Sequence, residues 1–244
     1  MSDSHDDLYS KPLPAVGSFE FNQDVVRVFE DMISRSVPHY RSTLEMMIRM
    51  AQQAYQPGTK VFDLGCSLGG FLLPLAESLK DEITDTDDSP LIGVDNSSAM
   101  LAELAKRAHG LPITLWCESI QDVAIENASV VILNYTLQFV PVSQRASLLA
   151  EIADGLVKDG ILLMSEKISG VSDAINDLFI QQHHDFKRRQ GYSELEIAQK
   201  RQSLEDVLVT ETVPQHLERL FDAGFSECCV WHQCFNFVSF YAKK

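Results

Sequence analysis

The chain has 244 residues, 45% of them hydrophobic and 23% charged, with a formal net charge of -15. That length and composition fit a globular α/β chain with a substantial core. The charge opposes nucleic acid as a whole-surface partner, and no apolar run reaches the ~18–20 residues that span a bilayer. The five cysteines, Cys66, Cys117, Cys228, Cys229 and Cys234, are odd in number and contain no C-x-x-C pair. A disulfide framework or a zinc site is therefore not expected. The opening "MSDSHDDLYS" reads as neither a signal peptide nor a transit sequence. Together these features predict a reduced, cytoplasmic protein with no membrane association and no stable hold on nucleic acid.

Residues 1–18 read as a loose arm. Helical spacing covers 22–36 and 39–54, divided at Pro38, a residue suited to a helix's first turn. After the Pro57-Gly58 turn the pattern alternates between strand and helix. Strands are predicted at "VFDLG" (61–65), "PLIGVDNS" (90–97), "ITLWCES" (113–119), "SVVILNYT" (129–136) and "GILLMSEK" (160–167). Helices are predicted at 69–81, 98–110 and 143–156. Near-continuously apolar strands alternating with helices predict a doubly wound, mostly parallel sheet covered on both faces. Residues 226–236 and 237–243 lie back to back and predict a C-terminal antiparallel hairpin. Such a hairpin closing a parallel sheet resembles the class I methyltransferase fold, Rossmann-like. One domain over 1–244 is expected, with N-terminal helices at about 19–55 and a helical insertion at about 171–223.

The loop "DLGCSLGG" lacks the lysine of a phosphate-binding P-loop. Ser67 stands where a dinucleotide fingerprint needs its middle glycine. Asp63, Gly65, Ser67 and Gly69 instead match the D-x-G-x-G-x-G pattern of adenosylmethionine-binding enzymes, with one glycine replaced. A tight turn lets backbone groups reach the ligand's amino-acid end, and the following helix N-terminus favours its carboxylate. Asp95, ending the second strand, is placed to take both ribose hydroxyls; the plainer reading is a cap for the next helix. The third strand ends near Ser119, whose hydroxyl accepts more weakly than a carboxylate. Cys66 is expected to meet the ligand through its backbone, while Cys117, Cys228 and Cys229 are expected to fill space. Trp116 and Trp231 are expected in the core.

In the insertion, Ser193 and Glu196 form a capping box. Ile197, Arg201, Leu204 and Leu208 follow on one face, so Arg201 is expected to interrupt an apolar stripe and to require an anion. The anion is either an internal glutamate or a ligand carboxylate, unless the side chain snorkels to solvent. His183 and His184 are expected to serve packing and helix-end roles, and "FKRRQGY" (186–192) to be a solvated helix end. No Ser/His/Asp set, carboxylate pair or metal cluster is expected.

The stretches "VFEDMISRSVPHY", "DLGCSLGG", "IENASVVILNYTLQF", "SEKISG", "HHDFKRRQGYSELEIAQKR" and "WHQCFNF" resemble the carboxy-S-adenosylmethionine synthase family, over nearly the whole chain. "RSVPHY" and "GYSELEIAQKR" carry the likeness most specifically. The resemblance implies S-adenosyl-L-methionine as a substrate and no metal. It implies reaction with prephenate to give carboxy-S-adenosyl-L-methionine and phenylpyruvate. It also implies a homodimer, and a product passed to a tRNA carboxymethyltransferase that modifies a wobble uridine. The implied ligand contacts are Tyr40, Gly65, Cys66, Ser67, Asp95, Asn96, Ser119, Ile120, Asn134 and Arg201, with Arg201 meeting the new carboxylate from its own or the neighbouring subunit. Ser119 replaces the family's Asp, His39 a common glycine and Glu30 a common proline. The alternatives are a conventional methyltransferase acting on a small molecule or RNA, and a non-catalytic adenosylmethionine-binding module.

Overall fold

In the computed structural model, which describes residues 5–83 and 89–244, the sheet grows outward from its first strand. β1 (Lys60–Leu64) pairs in parallel with β2 (Leu91–Val94) on one side and β4 (Ala128–Asn134) on the other. β3 (Ile113–Trp116) adds beyond β2, and β5 (Leu156–Lys167) beyond β4. β7 (Phe237–Lys243) then inserts antiparallel to β5, and β6 (Glu227–Cys234) forms the edge, giving the order β3-β2-β1-β4-β5-β7-β6. This is the doubly wound sheet and hairpin that the sequence predicts. β5 starts earlier than expected, and β3 stops at Trp116, leaving Cys117–Ser119 in a loop. Residues 1–4 and 84–88 lie outside the described residues.

Alternation along each strand assigns its two faces. Val61, Ile132 and Leu163 pack with α2 (Tyr40–Ala54) and α3 (Leu72–Leu79); α4 (Ser98–Arg107) joins them through Leu101 and Leu104. Phe62, Val131 and Leu162 face the opposite way, against α5 (Val142–Gly155) and α8 (Val213–Asp222). Both faces are covered, so the central strands can be apolar throughout. α8 is therefore the ordinary crossover into β6. The extra chain is α6 (Asp173–Arg189) and α7 (Glu194–Leu204), which lie beside α1 (Gln23–Ser36).

A buried ion cluster ties the returning chain to the sheet. Arg145 of α5, fully buried, pairs with Glu211, which also pairs with Arg219 of α8. Its guanidinium further donates to the carbonyls of Val140 (2.9 Å), Gln138 (3.2 Å) and Val209 (2.8 Å). Each of the three guanidinium nitrogens donates at least one bond, which is what makes burial of the charge tolerable. The arm is not loose from residue 5 onward. Asp6 is buried and accepts from the Tyr192 hydroxyl at 2.5 Å, and the Gln199 amide donates to the Tyr9 and Lys11 carbonyls at 2.9 Å. Among the described residues no helix is long and apolar enough to cross a membrane.

Candidate functional site

The carboxyl ends of β1, β2 and β4 meet at the glycine loop, because parallel strands all deliver their loops to one edge. Gly65 turns at φ 85, a conformation open to glycine, and its amide donates to Val94 at 2.8 Å. An added Cβ there would overlap the Thr136 side chain. Gly69 turns at φ 77. Ser67 also takes a left-handed φ of 50. The missing glycine of the pattern therefore sits at a position that still makes a glycine-like turn, at a modest cost. Cys66 is buried with its sulfur against Gly93, so its backbone is the part left facing the loop.

Asp95 holds this loop in place. One carboxylate oxygen accepts from the Ser67 amide (2.9 Å) and the other from the Ser97 amide (2.8 Å). It is not the helix cap, because Ser97 fills that role by accepting from Met100. The carboxylate thus bridges the β1 and β2 loops, with the exposed Asn96 beside it. Burial first, and the Asp95 charge second, push the Asp63 carboxyl up to about 7. Burial likewise raises Asp95, against the two backbone bonds that lower it. α1 closes over the loop through Val25, Val26 and Met32, packed with Leu68 and Met100.

The loop after β3 is held in part by side chains. The Ser119 hydroxyl donates to the Gln121 side-chain Oε1 at 2.7 Å, and the Gln121 Nε2 donates to the Gln144 Oε1 at 2.8 Å. The Ser119 lone pairs remain able to accept. Ile120, buried beneath, supplies an apolar wall.

Asn134 ends β4, and Tyr40 opens α2 facing it. The Tyr40 phenol lies over Gly70, 3.4 Å from where a Cβ would stand. Burial, with the charges of Asp63 and Glu30, holds that phenol well above its ordinary value, against a hydrogen bond with Asn134. Tyr135 then turns left-handed at φ 61, with its ring 6.3 Å from Tyr40 and 6.1 Å from Phe237. The structure thus gathers Tyr40, Gly65, Cys66, Ser67, Asp95, Asn96 and Asn134 around one loop edge, with Ser119 and Ile120 on the β3 side.

Arg201 is not where the stripe argument places it. It is exposed, and Ile197, Gln199 and Ser203 are the buried residues of α7. Helix α7 ends at Leu204, so Leu208 lies beyond it. The buried-charge argument for an anion therefore does not hold in the single chain. Arg201 does act on Lys167, at the end of β5: burial first, and the Arg201 charge second, hold that ammonium below the usual lysine value. Among the described residues no carboxylate forms an ion pair with either cation.

Other expectations also need correction. Lys187, within the stretch read as a solvated helix end, is buried, and burial followed by the Lys167 charge lowers it to about 8. Lys200 is lowered to about 7 by burial, then by Lys187, and its ammonium lies 3.4 Å from the Phe19 ring centre. The neighbouring Arg188 behaves as expected, exposed and paired with Asp185 and Glu194. Cys117 and Cys229 are exposed and fill no core space. Trp116 and Trp231 sit in strands but are only partly buried. His183 packs as expected, 4.8 Å from the Phe237 ring. Lys167, Tyr135 and Phe237 lie within the stretches "SEKISG", "NYTLQF" and "WHQCFNF" that carry the family resemblance, but the sequence alone gave none of the three a role of its own.

Comparison with known proteins agrees with this architecture. The family described as methyltransferase domain matches residues 61–160. The carboxy-S-adenosyl-L-methionine synthase of Hahella chejuensis is 46% identical over 100% of both chains. That of Idiomarina loihiensis is 42% identical over 98% of this chain and 99% of its own. Among solved structures, magnesium protoporphyrin IX methyltransferase from Synechocystis PCC 6803 with bound SAM superposes with a TM-score of 0.56 at 16% identity, covering 93% of this chain and 86% of that one. A possible histamine N-methyltransferase from Thermotoga maritima gives 0.56 at 15%, covering 92% and 98%. At such identities these two structures speak for the fold alone.

Proposed function

The chain belongs to the carboxy-S-adenosyl-L-methionine synthases, S-adenosyl-L-methionine-dependent transferases, and from that premise we propose that its second substrate is prephenate. The products are then carboxy-S-adenosyl-L-methionine and phenylpyruvate. The carboxylated nucleoside goes on to an enzyme that carboxymethylates a tRNA wobble uridine. The observation that supports this reading is the pair Lys167 and Arg201, two cations close enough for their charges to interact and, among the described residues, without an ion-pair partner. Such a pair suits a doubly negative co-substrate.

The chemistry needs no dedicated base. Aromatisation of prephenate breaks two bonds at the ring and releases carbon dioxide and hydroxide. The hydroxide takes a proton from the sulfonium methyl, forming water and leaving an electron pair on carbon. That pair attacks the carbon dioxide, and the new carbon–carbon bond carries the carboxylate. Charge balances, because a dianion and a cation become a monoanion and a net-neutral product. The protein contributes register between the two substrates and a dry site. Tyr40 and Asn134 orient the sulfonium end, Asp95 the ribose, and Ser119 and Ile120 the adenine. Arg201 opposes the new carboxylate by electrostatics.

An exposed Arg201 is compatible with service in a neighbouring subunit. A homodimer is supported by exposed apolar residues on the insertion, Val171 just before α6 (67% exposed) and Ile175 and Leu178 on its first turns (39% and 50%). We place the protein in the cytoplasm, where both substrates and tRNA are found. The test is the mass of the nucleoside that copurifies with the chain. Carboxylated S-adenosyl-L-methionine is expected; S-adenosyl-homocysteine alone favours a conventional methyltransferase.

A further inference from the structure

Lys167 ends β5 directly opposite Phe237 in the antiparallel register, so the two side chains share one face of the sheet. The preceding pair on that face, Ser165 and Ser239, are hydrogen-bonded at 2.8 Å, and Ser165 also reaches Met47 of α2. This is the face on which Tyr40 stands. The rings of Tyr40, Tyr135, Phe237 and His183 follow one another at centroid separations of 6.3, 6.1 and 4.8 Å. The row leads from the glycine loop to Lys167.

Among the described residues, the charge that acts on Lys167 is of its own sign. Burial, and then Arg201, lower its affinity for a proton, while Lys167 in turn acts on His183, His184 and Lys187. Lys187 has a counter-charge in Asp6. His183 adds no charge: its Nε2 lies 2.8 Å from the Ser36 carbonyl, which only accepts, and burial followed by the two lysines keeps the ring neutral. Among the described residues the Lys167 ammonium has no hydrogen-bond acceptor, although its backbone amide donates to the Gln138 side-chain oxygen at 3.0 Å. A partly buried ammonium without an anion is unfavourable, and the missing anion is most simply the substrate's.

We propose that Lys167 binds the carboxylate that the co-substrate retains, with its ring lying along Tyr135 and Phe237, while Arg201 meets the carboxylate that is transferred. The proposal rests on the reading of a dianionic co-substrate given above. Two separate cations then divide two carboxylates of different fate. Lys167 is the inner one, flanked by aromatic surface, and suits the group that stays joined to the ring. Arg201 is the outer one.

The test compares wild type, Lys167→Met and Lys167→Arg in steady state with prephenate, with phenylpyruvate as a product inhibitor. Loss of one charged contact predicts a KM for prephenate raised about tenfold to a hundredfold in Lys167→Met. Inhibition by phenylpyruvate, which keeps the pyruvyl carboxylate, should weaken by the same factor. Calorimetric affinities for S-adenosyl-L-methionine and carboxy-S-adenosyl-L-methionine should stay within about twofold of wild type. Lys167→Arg should recover much of the loss. A Lys167→Met variant with wild-type KM and wild-type phenylpyruvate inhibition overturns the assignment, as does one that loses affinity for the carboxylated nucleoside instead. A wild type that does not turn over prephenate sinks the underlying reading, and the Lys167 assignment with it.

Discussion

Asp95→Asn separates loop bridging from mere helix capping. The carboxylate takes the Ser67 amide on one oxygen at 2.9 Å and the Ser97 amide on the other at 2.8 Å. An asparagine keeps the shape but turns one oxygen into an NH2 that faces an N–H donor. One charge-assisted bond, worth about 1.5–3 kcal/mol, is lost, and the other becomes an ordinary bond of about 1 kcal/mol. Relief of the buried charge offsets part of this, because burial already raises Asp95. A net destabilisation of about 2 kcal/mol follows, or about 4–8 °C in Tm for a chain of this size. Affinity for S-adenosyl-L-methionine falls further, since the ribose hydroxyls lose an anionic acceptor; about tenfold to a hundredfold is expected. Urea denaturation with and without ligand, and calorimetry, read the two effects separately. Removing the Asp95 charge should also lower the Asp63 pKa from about 7, visible by carboxyl-resolved NMR titration. If the variant binds within about threefold of wild type and melts within about 1 °C, the bridging role is wrong.

Gly65→Ala sets a Cβ against Thr136 at φ 85, and should cost more than about 2 kcal/mol and abolish ligand binding; Gly58→Ala, at φ 82 with open space around it, should cost about 1 kcal/mol and leave binding intact. Arg145→Met leaves Glu211 with Arg219 alone and removes three carbonyl contacts; about 3–5 kcal/mol should be lost in urea titration. Burial pushes Glu166 up to about 8 from 4.5, so the folded chain holds more protons than the unfolded one across that window and its stability falls as pH rises through it. Glu166→Gln should therefore gain stability relative to wild type on going from pH 5 to pH 8, measured by denaturation at the two pH values. Ile175→Glu with Leu178→Glu should convert a dimer to a monomer by light scattering; an unchanged mass removes these residues from the interface.

Local chemistry made much of this molecule readable. Strand runs such as Val130–Leu133 are apolar on both faces because helices cover both, and the pattern says so directly. The capping box of Ser193 and Glu196 forms with both of its bonds, since it depends only on four consecutive residues. Arg201 was misjudged for the opposite reason. The face of α7 that is buried is chosen by the N-terminal arm, whose backbone amide at Leu13 and carbonyls at Tyr9 and Lys11 bond Gln199 across more than 180 residues of chain. A polar side chain thereby takes a core position, and the apparent stripe turns to solvent. Lys187 and Lys200 were hidden likewise, because Asp6 and the rings of Tyr9 and Phe19 reach them from the arm. Lys167 lies in the stretch "SEKISG", yet nothing in that stretch singles out the lysine. Only the β5–β7 register, closed by the last strand of the chain, sets it opposite Phe237.

The central claim is that the carboxyl group leaving the co-substrate is the one that arrives on the sulfonium carbon. The direct measurement incubates the purified chain with S-adenosyl-L-methionine and prephenate carrying a heavy-carbon label in its ring carboxyl, and weighs the nucleoside product. A carboxylated nucleoside bearing the label is the predicted result. An unlabelled carboxylated nucleoside, or a methyl group found on prephenate, would contradict it.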